Sequence, residues 1–313
     1  MRAEPAEPLI EWRSRLICEQ SFKPLYDRLL AEGYRAVPRL EGRYGAGLIL
    51  LTKHKAENRA NIARAWTLLA PGGLLVCSGA NAIGAASVEK DVDRALGLEG
   101  HLSKHQARTF WLRRGQDDVL PGVLAEWLAA AEPKPVEETG LIARVGCFSS
   151  DHVDTGSRLL AECFPEAMAG RVADLGGGWG YLSARLLQEF PAITGLDIYE
   201  AEALALDDAR INVRDGRATF HWLDVASGLP DVAPYDWIVS NPPFHEAKKA
   251  DPALGRAFIT SAWRSIRRRG KFLLVANQHL PYEAELRRRF REVELLTVRD
   301  GFKVYLSTNR HDR

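Results

Sequence analysis

Cysteine is scarce in this chain: four among 313 residues, Cys18, Cys77, Cys147 and Cys163, none at a metal-binding or redox spacing. That excludes a disulfide framework and a cysteine metal site, and predicts buried, reduced thiols of the kind found in cytosolic proteins. An excess of one charge is missing as well. The formal net charge is +1, with 19 basic and 18 acidic groups in residues 1–140 and 23 of each in residues 141–313. A strongly basic nucleic-acid footprint is therefore absent, and any RNA affinity has to come from local patches. The first eight residues lack the apolar core of a signal peptide. The uncharged stretch 68–86 is broken by Pro71-Gly72-Gly73 and diluted by Ser78, Gly79 and Asn81. It predicts a turn and one buried strand, with no membrane span.

The length suits two domains, each able to bury its own core, and the apolar and charged fractions, 46% and 27%, are ordinary for a globular protein. Residues 133–140 combine prolines with charge and predict a linker, which divides the chain into domains 1–140 and 141–313. Beyond it, apolar runs at 171–175, 192–197, 218–223, 237–240 and 271–276 predict strands. They alternate with predicted helices at 181–190, 204–215 and 254–269, and 292–306 predicts two strands turning at Asp300-Gly301. This is the pattern of an α/β fold, a mostly parallel sheet covered by helices on both faces. The front half echoes the back. Leu48–Leu51, a helix over 58–69, Pro71-Gly72-Gly73 and the strand Leu74–Val76 follow the order of 237–240, 254–269, Gly270 and 272–275. An internal duplication is expected, with Thr52-Lys53-His54-Lys55 in the place of Asn241–Phe244 and no glycine-rich turn before it.

In the back half, Val172-Ala173-Asp174 leads into Gly176, Gly178 and Gly180, a D-x-G-x-G-x-G turn. Glycines let the backbone turn sharply and lie against a ligand, and the helix after them opens with unpaired N–H groups. Tyr181 stands where a dinucleotide fingerprint needs its third glycine, so no pyrophosphate cradle is expected. The turn suits the nucleoside cofactor S-adenosylmethionine, bound beyond the carboxyl ends of the strands. Asp197 and Asp224, read as ending the next two strands, are the expected acceptors for ribose hydroxyls and an adenine amino group.

Downstream lies Ser240-Asn241-Pro242-Pro243-Phe244-His245. An exocyclic amine is a poor nucleophile because its lone pair is delocalised into the ring. Asn241 through its side-chain oxygen and Pro242 through its carbonyl are expected to accept the two N–H bonds and aim the lone pair at a methyl group. Pro242 and Pro243 fix φ and pre-aim these acceptors, and Phe244 offers a face for stacking, worth about 1–3 kcal/mol per base. His245, Lys248 and Lys249 are candidate substrate contacts. Two arginine clusters, 264–269 and 287–291, read mostly as solvated helix faces.

The back half resembles class I S-adenosylmethionine-dependent methyltransferases, and within them the bacterial guanine-N2 methyltransferases of small-subunit ribosomal RNA. Phe148-Ser149-Ser150-Asp151, Asp154–Leu160, Asp174–Gly180, Ser240–His245, Val275–Tyr282 and Gly301–Tyr305 carry the resemblance, over about 146–307. It implies a Rossmann-like methyltransferase fold preceded by a degenerate methyltransferase-like domain that serves as scaffold or recognition module. It also implies Asn241 and Phe244 in the catalytic pocket, with Gly176, Gly178, Asp197 and Asp224 on the cofactor. Ribosomal RNA or a ribosomal subunit is the expected partner, with no metal, no membrane and a monomer favoured. Asn-Pro-Pro-aromatic motifs also serve N6-adenine and protein-glutamine methyltransferases, usually with tyrosine; phenylalanine followed by His245 favours guanine N2. A target base in folded RNA has to be splayed out to reach Asn241. A binding module with vestigial chemistry is the competing reading, best suited to the front half.

Overall fold

A computed structural model describes residues 1–116, 119–231, 234–243 and 252–309, and the backbone alone of 245–246 and 249–250. The chain divides into two compact units, Met1–Pro133 with Arg144–Gly146, and Lys134–Ala143 with Cys147–Arg313.

In the first unit a 3₁₀ segment, Glu7–Arg15, precedes β1 (Ile17–Glu19), α1 (Lys23–Ala31) and β2 (Arg35–Val37), with β1 parallel to β2. There follow β3 (Tyr44–Leu50), α2 (Lys55–Leu68), β4 (Leu69–Ala80), α3 (Ala85–Leu96), β5 (Gly100–Lys104), β6 (Ala107–Arg113) and α4 (Gly122–Ala131). Four of these strands make a sheet in the order β3-β4-β6-β5, parallel at β3/β4 and antiparallel beyond. The uncharged stretch becomes α2's end and the long strand β4. Pro71-Gly72-Gly73 sits inside β4 where the register with β3 slips, and Gly72 takes φ +73°, which a side chain resists. Ile49, Ile62, Leu75, Val88, Phe110 and Leu124 form the core. Of the cysteines, all free, Cys77 alone is buried, against the expectation for all four; burial pushes its thiol up to about 12.

The second unit begins with β7 (Lys134–Pro135) and β8 (Ile142–Ala143). They pair antiparallel, Val136 is buried, and Asn212 bonds both the N–H and the carbonyl of Ile142 at 2.8 and 2.7 Å. The expected linker is thus a hairpin packed into this unit, because Val136 and Leu141 find apolar partners there. Next come α5 (Thr155–Glu162), β9 (Gly170–Leu175), α6 (Tyr181–Glu189), β10 (Ile193–Glu200), α7 (Ala203–Asn212), β11 (Ala218–Trp222) and β12 (Tyr235–Ser240). The chain continues through β13 (His245–Glu246), β14 (Lys249–Ala250), α8 (Pro252–Ser265), β15 (Ile266–Asn277), α9 (Tyr282–Arg289), β16 (Glu292–Arg299) and β17 (Phe302–Thr308).

Seven of these strands form one sheet, β11-β10-β9-β12-β15-β17-β16, parallel except where β17 runs against both neighbours. Successive side chains on a strand face opposite ways. Val172, Leu196, Val239 and Leu273 accordingly join one core, Ala173, Tyr199, Ile238 and Leu274 the other, so both faces of the sheet are covered. Two boundaries differ from expectation. β10 runs on to Glu200, and α8 stops at Ser265, which puts Arg267, Arg268 and Arg269 on β15 and off any helix face.

The two sheets share one plan. β3, β4, β5 and β6 repeat the connection order and strand directions of β12, β15, β16 and β17. Tyr44 pairs with Leu69 and Ala46 with Leu74, as Tyr235 pairs with Ile266 and Trp237 with Lys271. Carried along the strands, this register makes Leu50-Leu51-Thr52-Lys53 the counterpart of Asn241–Phe244, two residues earlier than the sequence suggested. An apolar run carries no marker of its own register; the pairing partner sets it.

Candidate active site

β9 is buried from Val172 to Leu175, and β12 pairs beside it with Val239 opposite Asp174 and Ser240 opposite Leu175. Ser240 Oγ donates to the Leu175 carbonyl at 2.7 Å. The glycine turn and the Asn-Pro-Pro segment, distant in sequence, therefore leave the sheet side by side at the carboxyl ends of adjacent strands.

The turn folds back on β10. Gly176 and Gly177 N–H both donate to the Tyr199 carbonyl, at 2.8 and 3.0 Å, and Gly180 N–H to the Gly177 carbonyl at 2.9 Å. Gly176, Gly178 and Gly180 take φ of 78°, 55° and 91°. Gly180 is the residue that launches α6, and a Cβ on it would press against Ala209 at 3.2 Å. Asp174 is fully buried beneath the turn. Ser183 Oγ donates to its Oδ2 at 2.7 Å, and Oδ1 has no partner. Burial, reinforced by the nearby Glu200, pushes its carboxyl up to about 7.

Glu200 is the acidic residue that meets the turn: its Oε2 accepts from Gly178 N–H at 2.8 Å and its Oε1 from Glu202 N–H at 2.7 Å. Burial raises its carboxyl above the ordinary range against these donations. Asp197, the expected ribose acceptor, lies three residues back along β10, about 10 Å at the rise of a strand. It is enclosed by Arg171 Nη2 (2.8 Å), His221 Nε2 (2.8 Å) and Tyr235 Oη (2.9 Å), and Tyr235 also bonds Tyr199 Oη at 2.8 Å. Burial alone would raise its carboxyl, but bonds from His221, Tyr235 and Arg171 hold it below the ordinary range. Asp197 is thus a hub of sheet packing and stands away from the turn. The signal for Glu200 was the apolar pair Ile198-Tyr199, which carries the strand past Asp197.

Asp224 follows β11 at the expected end of the sheet, with its carboxylate capping a 3₁₀ turn by accepting from Ala226 N–H (2.9 Å) and Ser227 Oγ (2.7 Å). Asn241 Nδ2 donates to Asp154 Oδ2 at 2.7 Å and to Ser157 Oγ at 2.8 Å. Pro242 is buried and Pro243 exposed. Phe244 and Lys248 lie outside the described residues, and the backbones of His245 and Lys249 belong to β13 and β14, which pair antiparallel. A cavity of about 50 Å³ brings together Asn241, Asp154, Ser157, Gly176, Gly177 and Gly178, with the exposed Phe148 at its wall. Trp179, bulky for such a turn, is buried, lines the same cavity and packs on Tyr181 at 5.8 Å. The first unit holds a larger cavity, about 650 Å³, among Leu48, Leu50, Leu69 and Val76. Size does not mark the chemistry here, because no cofactor or amine acceptor expected from the sequence lines that space.

The arginines of the two clusters are in part neutralised: Arg267 pairs with Asp236, Arg287 with Glu283, and Arg288 and Arg289 with Glu285. Among the described residues no group of three or more His, Cys, Asp or Glu could hold a metal ion, and no helix is long and apolar enough to cross a membrane.

A parallel sheet with one antiparallel strand near its edge, a glycine turn on β9 and an acid at the end of β10 define a class I methyltransferase that uses S-adenosylmethionine. The residues fit that cofactor: the partnerless Asp174 Oδ1 suits an ammonium donor, and Glu200 a pair of hydroxyls. The methyltransferase small domain family matches residues 138–306. "Ribosomal RNA small subunit methyltransferase C" of Photorhabdus laumondii is 30% identical over 82% of this chain and 75% of its own length. The protein of the same name from Aeromonas hydrophila is 31% identical over 85% and 77%. The chain belongs to the methyltransferase small domain family and, within it, to the group these relatives represent. A solved structure of the T. thermophilus 16S rRNA N2 G1207 methyltransferase, in complex with AdoMet and guanosine, shares the fold with a TM-score of 0.78. It is 24% identical and aligns over 97% of this chain and 84% of its own.

Proposed function

We propose that this protein transfers a methyl group from S-adenosylmethionine to the exocyclic N2 amine of a guanine in small-subunit ribosomal RNA. The observation that carries the reading is the register of β12 on β9, which sets Asn241 beside the glycine turn, together with the names of the relatives. S-adenosylmethionine, when bound, supplies a methyl group on a sulfonium that departs as a neutral thioether. The chain has to hold the amine and direct its lone pair, and its proton is lost to solvent after transfer, so no strong general base is required. Asn241 Oδ1 and the Pro242 carbonyl accept the two N–H bonds, and Pro243 stiffens the segment. Phe244 stacks on the base, while His245, Lys248 and Lys249 contact the RNA. Asp174, Gly176, Gly178, Gly180, Glu200 and Asp224 hold the cofactor, Glu200 taking the role the sequence assigned to Asp197. The first unit, residues 1–140 in the sequence division, is a degenerate methyltransferase-like domain that has kept the scaffold and serves recognition; its matched sheet supports this. Such a substrate would put the protein in the cytoplasm.

The test is tritium transfer from labelled S-adenosylmethionine to unmethylated small-subunit particles and naked ribosomal RNA, followed by nucleoside digestion. Label in N2-methylguanosine that vanishes with Asn241→Ala is the expected result. Label in N6-methyladenosine would move the acceptor base, and no label in either RNA, with cofactor binding intact, would overturn the RNA reading.

A further inference from the structure

Asp154 and Ser157 stand 87 and 84 residues before Asn241, yet their side chains close on its amide. Asp154 caps α5, its Oδ2 accepting from Ser157 N–H at 2.8 Å. The same oxygen accepts from Asn241 Nδ2 at 2.7 Å, and Ser157 Oγ accepts from that nitrogen at 2.8 Å. Which end of an asparagine amide is nitrogen has to be argued from its partners, and here a carboxylate decides it. A carboxylate offers acceptors alone. Turning the amide over would set Asn241 Oδ1 against Asp154 Oδ2 with no hydrogen between them. An amide nitrogen carries two hydrogens; one goes to Asp154 and the other to Ser157. The carbonyl oxygen is what Asn241 has left to offer.

We infer that Asp154 and Ser157 are positioning residues that lock Asn241 as a hydrogen-bond acceptor, so that the site selects an amino group over a ring carbonyl at the reacting position. The inference rests on the proposed role of Asn241. A free amide pairs equally well with the N–H donors or with the carbonyl oxygen of a base, and so admits a base in either sense. Locked by α5, it matches the amine and leaves a carbonyl facing a lone pair, an unpaired polar contact that costs affinity. Preorganisation also keeps the acceptor in place before the base arrives, so alignment with the methyl group is not lost to side-chain rotation.

The test is a charge exchange. The rate of label transfer, as kcat and KM, is compared for D154N, N241D, the double variant D154N/N241D and S157A, with cofactor Kd and Tm measured on each. D154N is expected to lower kcat by about 10- to 100-fold, the value of a hydrogen bond to a charged group. N241D sets two carboxylates against each other and loses at least as much. The double variant restores an amide donating to a carboxylate that still accepts from the substrate and should regain about tenfold in kcat over N241D, while Tm falls because the nitrogen introduced at position 154 cannot also accept from Ser157 N–H. S157A, which keeps the cap, should lose about three- to tenfold in kcat. Cofactor Kd should stay within about threefold throughout, because none of these bonds reaches the glycine turn. A double variant no faster than N241D, or losses tracked entirely by Kd or Tm, would overturn the inference while transfer still depends on Asn241. Wild-type transfer that survives Asn241→Ala would overturn the underlying reading and this inference together.

Discussion

The sheet of the first unit and the last four strands of the second unit's sheet are built on one plan, and they differ along a single edge. β4 and β15 are both twelve residues long, and each pairs seven residues with its antiparallel partner, Leu74–Ala80 with β6 and Lys271–Asn277 with β17. Both hairpins turn through two residues of positive φ, His105-Gln106 and Asp300-Gly301. Even the closing polar contact is repeated: buried Arg114 donates to the Leu69 carbonyl, and buried Asn309 to that of Ile266. The free edge of β12 is occupied by β9 and its glycine turn. On the corresponding edge of β3, the Met1 amine donates to the Leu48 carbonyl at 3.0 Å and Leu50 N–H to the Met1 carbonyl. A crossover and an antiparallel hairpin thus suffice for a buried core, whereas the chemistry needs one further strand with an acid and a turn.

The largest effect expected of this comparison separates matched positions. Asn241→Ala should lower kcat by about 10²- to 10³-fold with cofactor Kd unchanged, while Leu50→Ala, at the register counterpart in the first unit, should leave label transfer within about twofold. Equal losses would break the comparison. The two acids of β10 give the next contrast. Asp197→Ala removes the common acceptor of Arg171, His221 and Tyr235 and should cost about 3 kcal/mol of stability in urea unfolding, with cofactor affinity kept. Glu200→Gln should act mainly on the cofactor, weakening it about tenfold, with a smaller stability loss of about 1 kcal/mol because one of the two backbone N–H groups it serves loses its acceptor.

Smaller and symmetric effects are expected from Arg114→Ala and Asn309→Ala. Arg114→Ala removes a buried donor shared by the Trp66 and Leu69 carbonyls, and Asn309→Ala one shared by those of Ile266 and Arg267; each should cost about 2 kcal/mol. Hydrogen exchange should accelerate in the altered residue's own sheet and not in the other; acceleration in both would show that the two cores do not stand separately. The mildest effect is pH dependence, and here Asp174 and Asp197 have opposite signs. Asp174, raised from 3.8 to about 7, holds a proton between those values that the unfolded chain has released. Its contribution to the stability of the free protein therefore falls as pH rises through that window. Asp197, held below its ordinary value, contributes stability above that value and loses it as pH falls. If an ammonium completes Asp174, cofactor affinity should rise from about pH 5.5 to 7, by at most about tenfold per pH unit. Calorimetry on Asp174→Asn should show a flat profile over that range.

Much of this was legible in the chain. The alternation of apolar runs and helices marked out every strand of the large sheet, and Asp300-Gly301 marked its last turn. Gly176, Gly178 and Gly180 announced a backbone that bends where side chains cannot follow, and their φ of 78°, 55° and 91° is that bend. These are local properties: φ preferences, the missing Cβ and hydrophobic period are written in neighbouring residues. The acid that serves the turn was misread because a strand ends where its neighbours stop pairing with it, and β9 and β11 hold β10 in the sheet beyond Asp197. The counterpart of Asn241 in the first unit slipped by two residues for the same reason. Nor could spacing reveal that Asp154 and Ser157 hold Asn241, since nothing in a stretch of chain states which distant helix start will face it. The sequence by itself determined which residues could turn, stack or accept a hydrogen bond; the tertiary structure decided which of them meet, because strand register and helix packing are set by partners remote in the chain.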